Sequence, residues 1–108
     1  MPYIDLKRVE AKEVIPGYFG KFVHAKNMTT AYWDINANSA IPEHEHKHEQ
    51  ILNLIKGEFE LDIEGEKTTL YAGAVVVIPS NVRHGGKSLT HCKIIDVFYP
   101  VREDYKSL

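Results

Sequence analysis

Three histidines stand at alternate positions in His44-Glu45-His46-Lys47-His48, and Gln50 follows at the same parity. On an extended chain, side chains two apart leave the same face. His44 and His46 therefore point the same way, and two imidazoles at that spacing can reach one ion at about 2 Å per bond. Gln50 can add a carbonyl oxygen. A fourth ligand must come from another strand, and His84, just after the turn at Pro79, is the natural candidate. A lone His-x-His is more often a solvated polar loop, so the metal reading depends on its company. His48 shares the parity and competes with Gln50. His24 and His91 read as structural, and Glu43, Glu45 and Glu49 fall on the other face, toward solvent.

A second group lies near the end of the chain. In Ile94-Ile95-Asp96-Val97-Phe98-Tyr99 the residues Ile94, Asp96 and Phe98 share a face, and Asp96 is the one charge in an otherwise apolar strand. Burying a carboxylate unpaired is costly. Facing a pocket, it has its pKa raised by desolvation and lowered by any nearby cation. Such a group can be poised for proton transfer. Arg102 can swing back over the same place and grip a carboxylate through two parallel N–H bonds. The residues alone leave an ordinary Asp96–Arg102 ion pair equally open.

These side chains need a scaffold of strands. Tyr18 to His24 and Met28 to Ile35 are rich in aromatic and β-branched residues, with Ala25-Lys26-Asn27 as a hairpin loop between them. Asn36 to Ser39 breaks the second strand. Gln50 to Ile55 is mostly apolar, Lys56-Gly57-Glu58 turns the chain, and Phe59 to Ile63 alternates as a half-buried strand should. Thr68 to Tyr71, Val75 to Ile78 and Cys92 to Tyr99 follow. Helical periodicity is confined to a turn or two within Leu6 to Val14. Many short strands at regular spacing imply an all-β sandwich or barrel.

The 108 residues suit one domain, and 44% hydrophobic with 26% charged residues is the composition of a globular chain. Thirteen Lys plus Arg against fifteen Asp plus Glu give a net charge of -2, with no basic patch, so no nucleic-acid partner is expected. No apolar run is long enough to span a bilayer and no membrane partner is expected. The single cysteine, Cys92, fits a reducing compartment, and Met1 to Lys7 lacks the pattern of a signal peptide; the expected location is cytoplasmic.

The two histidine segments fall into a longer pattern. His44-x-His46, three residues, Gln50, six residues and Gly57 reproduce the first motif of the cupin family, with Gln where Glu is usual. Gly73, five residues, Pro79-x-Asn81, two residues and His84 reproduce the second, with Asn81 where Gly is usual and Ser88 where Asn closes the motif. Asn tolerates the left-handed backbone that Gly would supply. The sequence resembles the cupins from about Tyr18 to Tyr99. The resemblance implies a single jelly-roll β-barrel with its core at about 18–99 of a 1–108 domain, one divalent metal ion in its mouth, and frequently a homodimer. It implies that His44, His46, Gln50 and His84 are the ligands, while His48 has no ligand place and passes to a supporting role. The ion is Ni, Zn, Mn or Fe. A ligand set without charge leaves it a strong Lewis acid, which favours polarising a carboxylate, carbonyl or water over redox chemistry. An exposed apolar strand near Tyr3-Ile4 or Tyr18-Phe19 is a candidate for pairing with a second subunit.

A narrower resemblance rests on Met28 to Trp33, on His44-x-His46-x-His48-Glu49-Gln50, and on the tail Asp96 to Tyr105. These are similar to the pectin-degradation cupins of the KdgF type, which open the ring of 4,5-unsaturated monouronates from pectin or alginate to give 5-keto-4-deoxyuronate. That likeness implies a sugar-acid ligand and a site lined by Asp96, Phe98 and Arg102. Asp96 would move the proton at the double bond, Arg102 would orient the carboxylate, and Phe98 would pack on the sugar face. The rival expectations are a non-haem iron dioxygenase on the same fold and a metal-dependent sugar-acid sensor without catalysis.

Overall fold

The computed structural model describes residues 3–108. Residues 1 and 2, the start of the segment read above for a leader and of the expected 1–108 domain, lie outside them. Ten strands follow in order: β1 Lys12–Ile15, β2 Tyr18–His24, β3 Thr29–Ile35, β4 Ala40–His44, β5 Glu49–Lys56, β6 Glu58–Ile63, β7 Glu66–Tyr71, β8 Val75–Ile78, β9 His84–Ser88 and β10 Cys92–Tyr99. The helical turn expected within Leu6 to Val14 is a 3-10 turn at Leu6–Arg8, and β1 begins at Lys12. A short helix, α1 Glu103–Lys106, follows β10. None of the helices among the described residues is long and apolar enough to cross a membrane.

The strands form two antiparallel sheets. One has six strands in the order β1-β2-β3-β10-β5-β8, and the other has four in the order β4-β9-β6-β7. The two sheets, separate in their hydrogen bonding among the described residues, are consistent with the jelly-roll expected from the sequence. Alternation sets which side chains meet between them. Leu52 and Leu54 of β5, Ile94 and Cys92 of β10, Ile35 of β3, and Phe59 and Leu61 of β6 all point inward and are buried. Tyr18 is buried with them, which removes it from the candidate exposed pairing strands; Tyr3 and Ile4 are exposed and outside any strand.

Two features shape the end that carries the chemistry. Strand β4 pairs with β9, and β5 pairs with β8. The connector from β4 to β5 and the connector from β8 to β9 both cross between the sheets, so those two pairings lay them side by side. The Asn81 N–H donates to the His46 carbonyl at 2.8 Å and ties one connector to the other. Asn81 sits at a φ of 63°, the left-handed conformation expected of it from the sequence. At the opposite end of β5, Gly57 has a φ of 95°, and a Cβ there would strike the His91 carbonyl. The turn expected at Lys56-Gly57-Glu58 is thus fixed by backbone conformation and by close approach.

Candidate metal centre

His44 closes β4, His84 opens β9, and the register of those strands sets the two directly opposite each other. His46 lies in the connector tied to Asn81. The ring centroids are 4.3 Å apart for His44 and His84, 5.0 Å for His46 and His84, and 5.7 Å for His44 and His46. One ligand atom from each of the three lies within 4.8 Å of the others. The spatial meeting expected from the sequence therefore occurs.

Each ring is aimed in the same way. The Nδ1–H of His44 donates to the Pro42 carbonyl at 2.9 Å, that of His46 to the His48 carbonyl at 2.9 Å, and that of His84 to the Val82 carbonyl at 2.8 Å. A carbonyl can only accept, so Nδ1 carries the proton and the neutral ring keeps a lone pair on Nε2. Burial pushes His46 down to about 4, with Arg102 and His84 adding to the shift, and burial also lowers His84. Both rings are thus held neutral, the form that binds metal.

Gln50 sharpens the argument for a cation. It is buried, and its Oε1 lies 3.2 Å from His46 Nε2. Its Nε2 is turned the other way and donates to Asp96 Oδ1 at 2.9 Å. Two lone-pair atoms therefore face each other with no proton between them. Two ligand atoms each about 2.1 Å from one ion stand about 3.0 to 3.4 Å apart at octahedral to tetrahedral angles. The separation and the acceptor-only donor set both fit a divalent ion held by the histidine triad.

His48 does not join the triad. Its side chain is buried against Phe98, its Nδ1 has no hydrogen-bond partner, and it contributes its backbone carbonyl to orient His46. His24 pairs with Thr29, and His91 with Asp34, as structural histidines do. Glu43, Glu45 and Glu49 are exposed, and Glu43 meets Arg83.

Asp96 and Phe98 continue the inward row of β10 beyond the core, and the register sets Phe98 beside Gln50. Asp96 is buried and accepts from the Trp33 indole at 3.0 Å as well as from Gln50. Desolvation pushes its pKa up to about 7, against the opposing pull of those two hydrogen bonds and of Arg102. The ion pair Asp96–Arg102, left open by the sequence, does not form. Arg102 instead directs Nε and Nη2 at the Asp104 carboxylate, at 3.0 and 2.8 Å. Its guanidinium carbon lies 4.6 Å from the centre of the Phe98 ring and 4.0 Å from that of Tyr105, two rings inclined to each other at 75°. Phe98 is fully buried beneath Arg102 and edge-on to His46, so its ring supports those two groups rather than offering an open face to a sugar.

These residues line one cavity of about 500 Å³, mouth included, with Tyr18, Ile35 and Leu61 deeper and Trp33 and Tyr105 at its side. Trp33, Tyr105 and Thr29 escaped sequence reasoning. Trp33 shares the inward parity of Ala31 and Ile35, and a buried indole N–H needs an acceptor, so strand parity held a signal for it. Thr29 lies within the Met28 to Trp33 likeness, but nothing in the sequence assigned it a role; its hydroxyl accepts the Arg102 backbone N–H at 2.9 Å across the fold.

Comparison with known proteins agrees with this fold. Over 64 residues, which are 57% of this chain and 58% of that protein, the sequence is 41% identical to the pectin degradation protein KdgF of Dickeya dadantii (strain 3937). The chain thus aligns with a little over half the length of that curated relative. The structure of KdgF from Halomonas sp. superposes with a TM-score of 0.87 at 29% identity, covering 97% of each chain. An RmlC-like cupin from Shewanella frigidimarina NCIMB 400 superposes with a TM-score of 0.91 at 24% identity, over 97% of this chain and 96% of that one, a likeness of fold. The Cupin domain model matches residues 31–98, well over half of the chain, and the protein therefore belongs to the cupin family.

Proposed function

We propose that this cupin is a metal-dependent enzyme that opens the ring of 4,5-unsaturated monouronates to 5-keto-4-deoxyuronate. The observation that carries the reading is a buried carboxylic acid, Asp96, one hydrogen bond behind a candidate metal ligand and in the same cavity as Arg102. The likeness to the KdgF proteins supports the choice of substrate. His44, His46, His84 and Gln50 would hold the ion, with Ni, Zn, Mn and Fe all compatible with such ligands. A bound divalent ion supplies Lewis-acid polarisation and a point charge for the substrate carboxylate.

The chain's own residues divide the remaining work. Arg102 uses one edge of its fork on Asp104, and the other edge, bearing Nη1, is left to meet an anionic substrate. With its pKa near neutrality, Asp96 can both give and take a proton at working pH. Protonated Asp96 delivers its proton to C4 of the enol ether. The ionised carboxylate then takes a proton from the water whose oxygen bonds to C5. The resulting hemiketal breaks its C5–ring-oxygen bond, leaving a ketone at C5 and an aldehyde hydrate at C1 that loses water. Asp96 ends as it began, and the water consumed is returned. The apolar walls below the site, Ile35, Leu52 and Leu61, exclude bulk solvent from the acid.

Purified protein mixed with unsaturated galacturonate should abolish the absorbance of the conjugated enol ether. That loss should stop when a chelator strips the metal, and Asp96→Ala should slow it by roughly 100-fold or more. Binding without loss of absorbance, or turnover that consumes oxygen, would reject the ring-opening reading.

A further inference from the structure

We propose that Asp96 also acts as a positioning residue for the metal centre: it decides which end of the Gln50 amide faces the histidines. The inference rests on the metal-binding reading above. The two ends of a carboxamide are nearly the same size, so packing hardly distinguishes them, and hydrogen-bond chemistry must choose. Here the choice is forced from outside. The Trp33 indole can only donate, and at 3.0 Å it holds Asp96 Oδ2 as an acceptor. The other oxygen, Oδ1, takes the Gln50 Nε2 at 2.9 Å. Against the Asp96 carboxylate, a turned amide would set Oε1 on Oδ1, two acceptors in contact, and would direct the NH2 group at the His46 Nε2 lone pair, where an ion belongs.

Burial removes the alternative of water. Gln50 is 5% exposed and Asp96 6% exposed, so a mismatched amide has no solvent partner to turn to. The sheet builds the contact in: β10 and β5 pair with Asp96 opposite Leu52 and Phe98 opposite Gln50, which leaves Asp96 and Gln50 as inward diagonal neighbours. The chain Trp33–Asp96–Gln50 thus aims an oxygen at the triad much as the backbone carbonyls aim the three imidazoles. It also sets a carboxylate one hydrogen bond behind a neutral ligand set, so the compensating charge of the site lies in its outer layer.

The test is titration of the metal-free protein with Co²⁺, in competition with a chelator and followed by calorimetry. In Asp96→Asn the Trp33 donor captures the new carbonyl oxygen and turns the new NH2 toward Gln50. Gln50 must then rotate its own oxygen away from the triad, and affinity should fall about 10- to 100-fold. Combining Asp96→Asn with Gln50→Glu should restore it, because a carboxylate accepts from the Asn amide with one oxygen and offers the other to the ion. Unchanged affinity in Asp96→Asn overturns the inference, and so does a double variant as weak as the single one. Wild-type protein that binds no Co²⁺ removes the metal reading itself. A readout independent of any variant is the nuclear Overhauser contact in metal-free wild type. The Gln50 side-chain NH2 should contact the Trp33 indole N–H, and a contact to the His46 ring in its place overturns the assignment.

Discussion

Arg102 is held in three ways, two through its guanidinium and one through its backbone. Its cation lies against the rings of Phe98 and Tyr105, its fork grips Asp104, and its backbone N–H donates to Thr29. A lysine would keep the charge and lose the planar fork. Arg102→Lys should therefore raise KM for an unsaturated uronate by about tenfold or more while changing kcat less, which steady-state kinetics on metal-loaded protein would read. An unchanged KM would place the substrate carboxylate elsewhere. The sequence located Arg102 near Asp96 and left an ion pair between them open. Asp104, two residues along, lies closer to the guanidinium and more in water, so the pair forms there without burying two charges. Asp96 is left to the N–H donors of Trp33 and Gln50, neither of which carries charge.

At the scale of elements, the segment after β10 matters because it brings Arg102 and Tyr105 back over the mouth. The Thr29 hydroxyl at the start of β3 accepts the Arg102 N–H and pairs with His24 Nδ1, each at 2.9 Å, and Thr29 is fully buried. Thr29→Val keeps the shape and strands that N–H, which costs about 1–3 kcal/mol. Urea denaturation should detect the loss, and Thr29→Ser should recover most of it. Equal stability of the Val and Ser variants would remove the latch. Most strands were legible beforehand because alternation and turn residues are local signals, as Tyr18–His24 and Phe59 to Ile63 demonstrate. Strands β4 and β9 were not. Their residues Ala40 to His44 and His84 to Ser88 include a Pro and two Gly and show no apolar alternation. They are strands because they pair with each other, and β9 also with β6; that is a long-range cause no short window contains. Helix α1 was missed for the same reason, being a single turn held by what its Tyr105 packs against.

Across the whole molecule, burial of the mouth sets two opposed proton linkages in the metal-free protein. His46 is held at about 4, and His48 and His84 are lowered as well, each chiefly by desolvation. The unfolded chain then binds protons that the folded one refuses, so stability from these histidines is present above about pH 6.5 and is lost as pH falls through the folded values. Asp96, lifted to about 7, acts in the other direction. Its folded state keeps a proton that the unfolded chain has released, so its contribution is complete below about pH 4 and is lost as pH rises through 7. Calorimetric melts of metal-free wild type and Asp96→Asn should show the wild type's relative advantage at its greatest near pH 4, shrinking steadily toward pH 7.5. A gap that is constant with pH would place the Asp96 pKa near that of a solvated carboxylate. The aim of the three imidazoles has a separate consequence. Each leans on a peptide oxygen, at Pro42, His48 and Val82, and no exchange of side chain at those positions deletes a peptide oxygen. Orientation of the three imidazoles is thereby insulated from the composition of the surrounding wall, which makes this architecture a chassis whose lining beyond Gln50 and its two supports can be rewritten for a new small molecule while the histidines keep their aim.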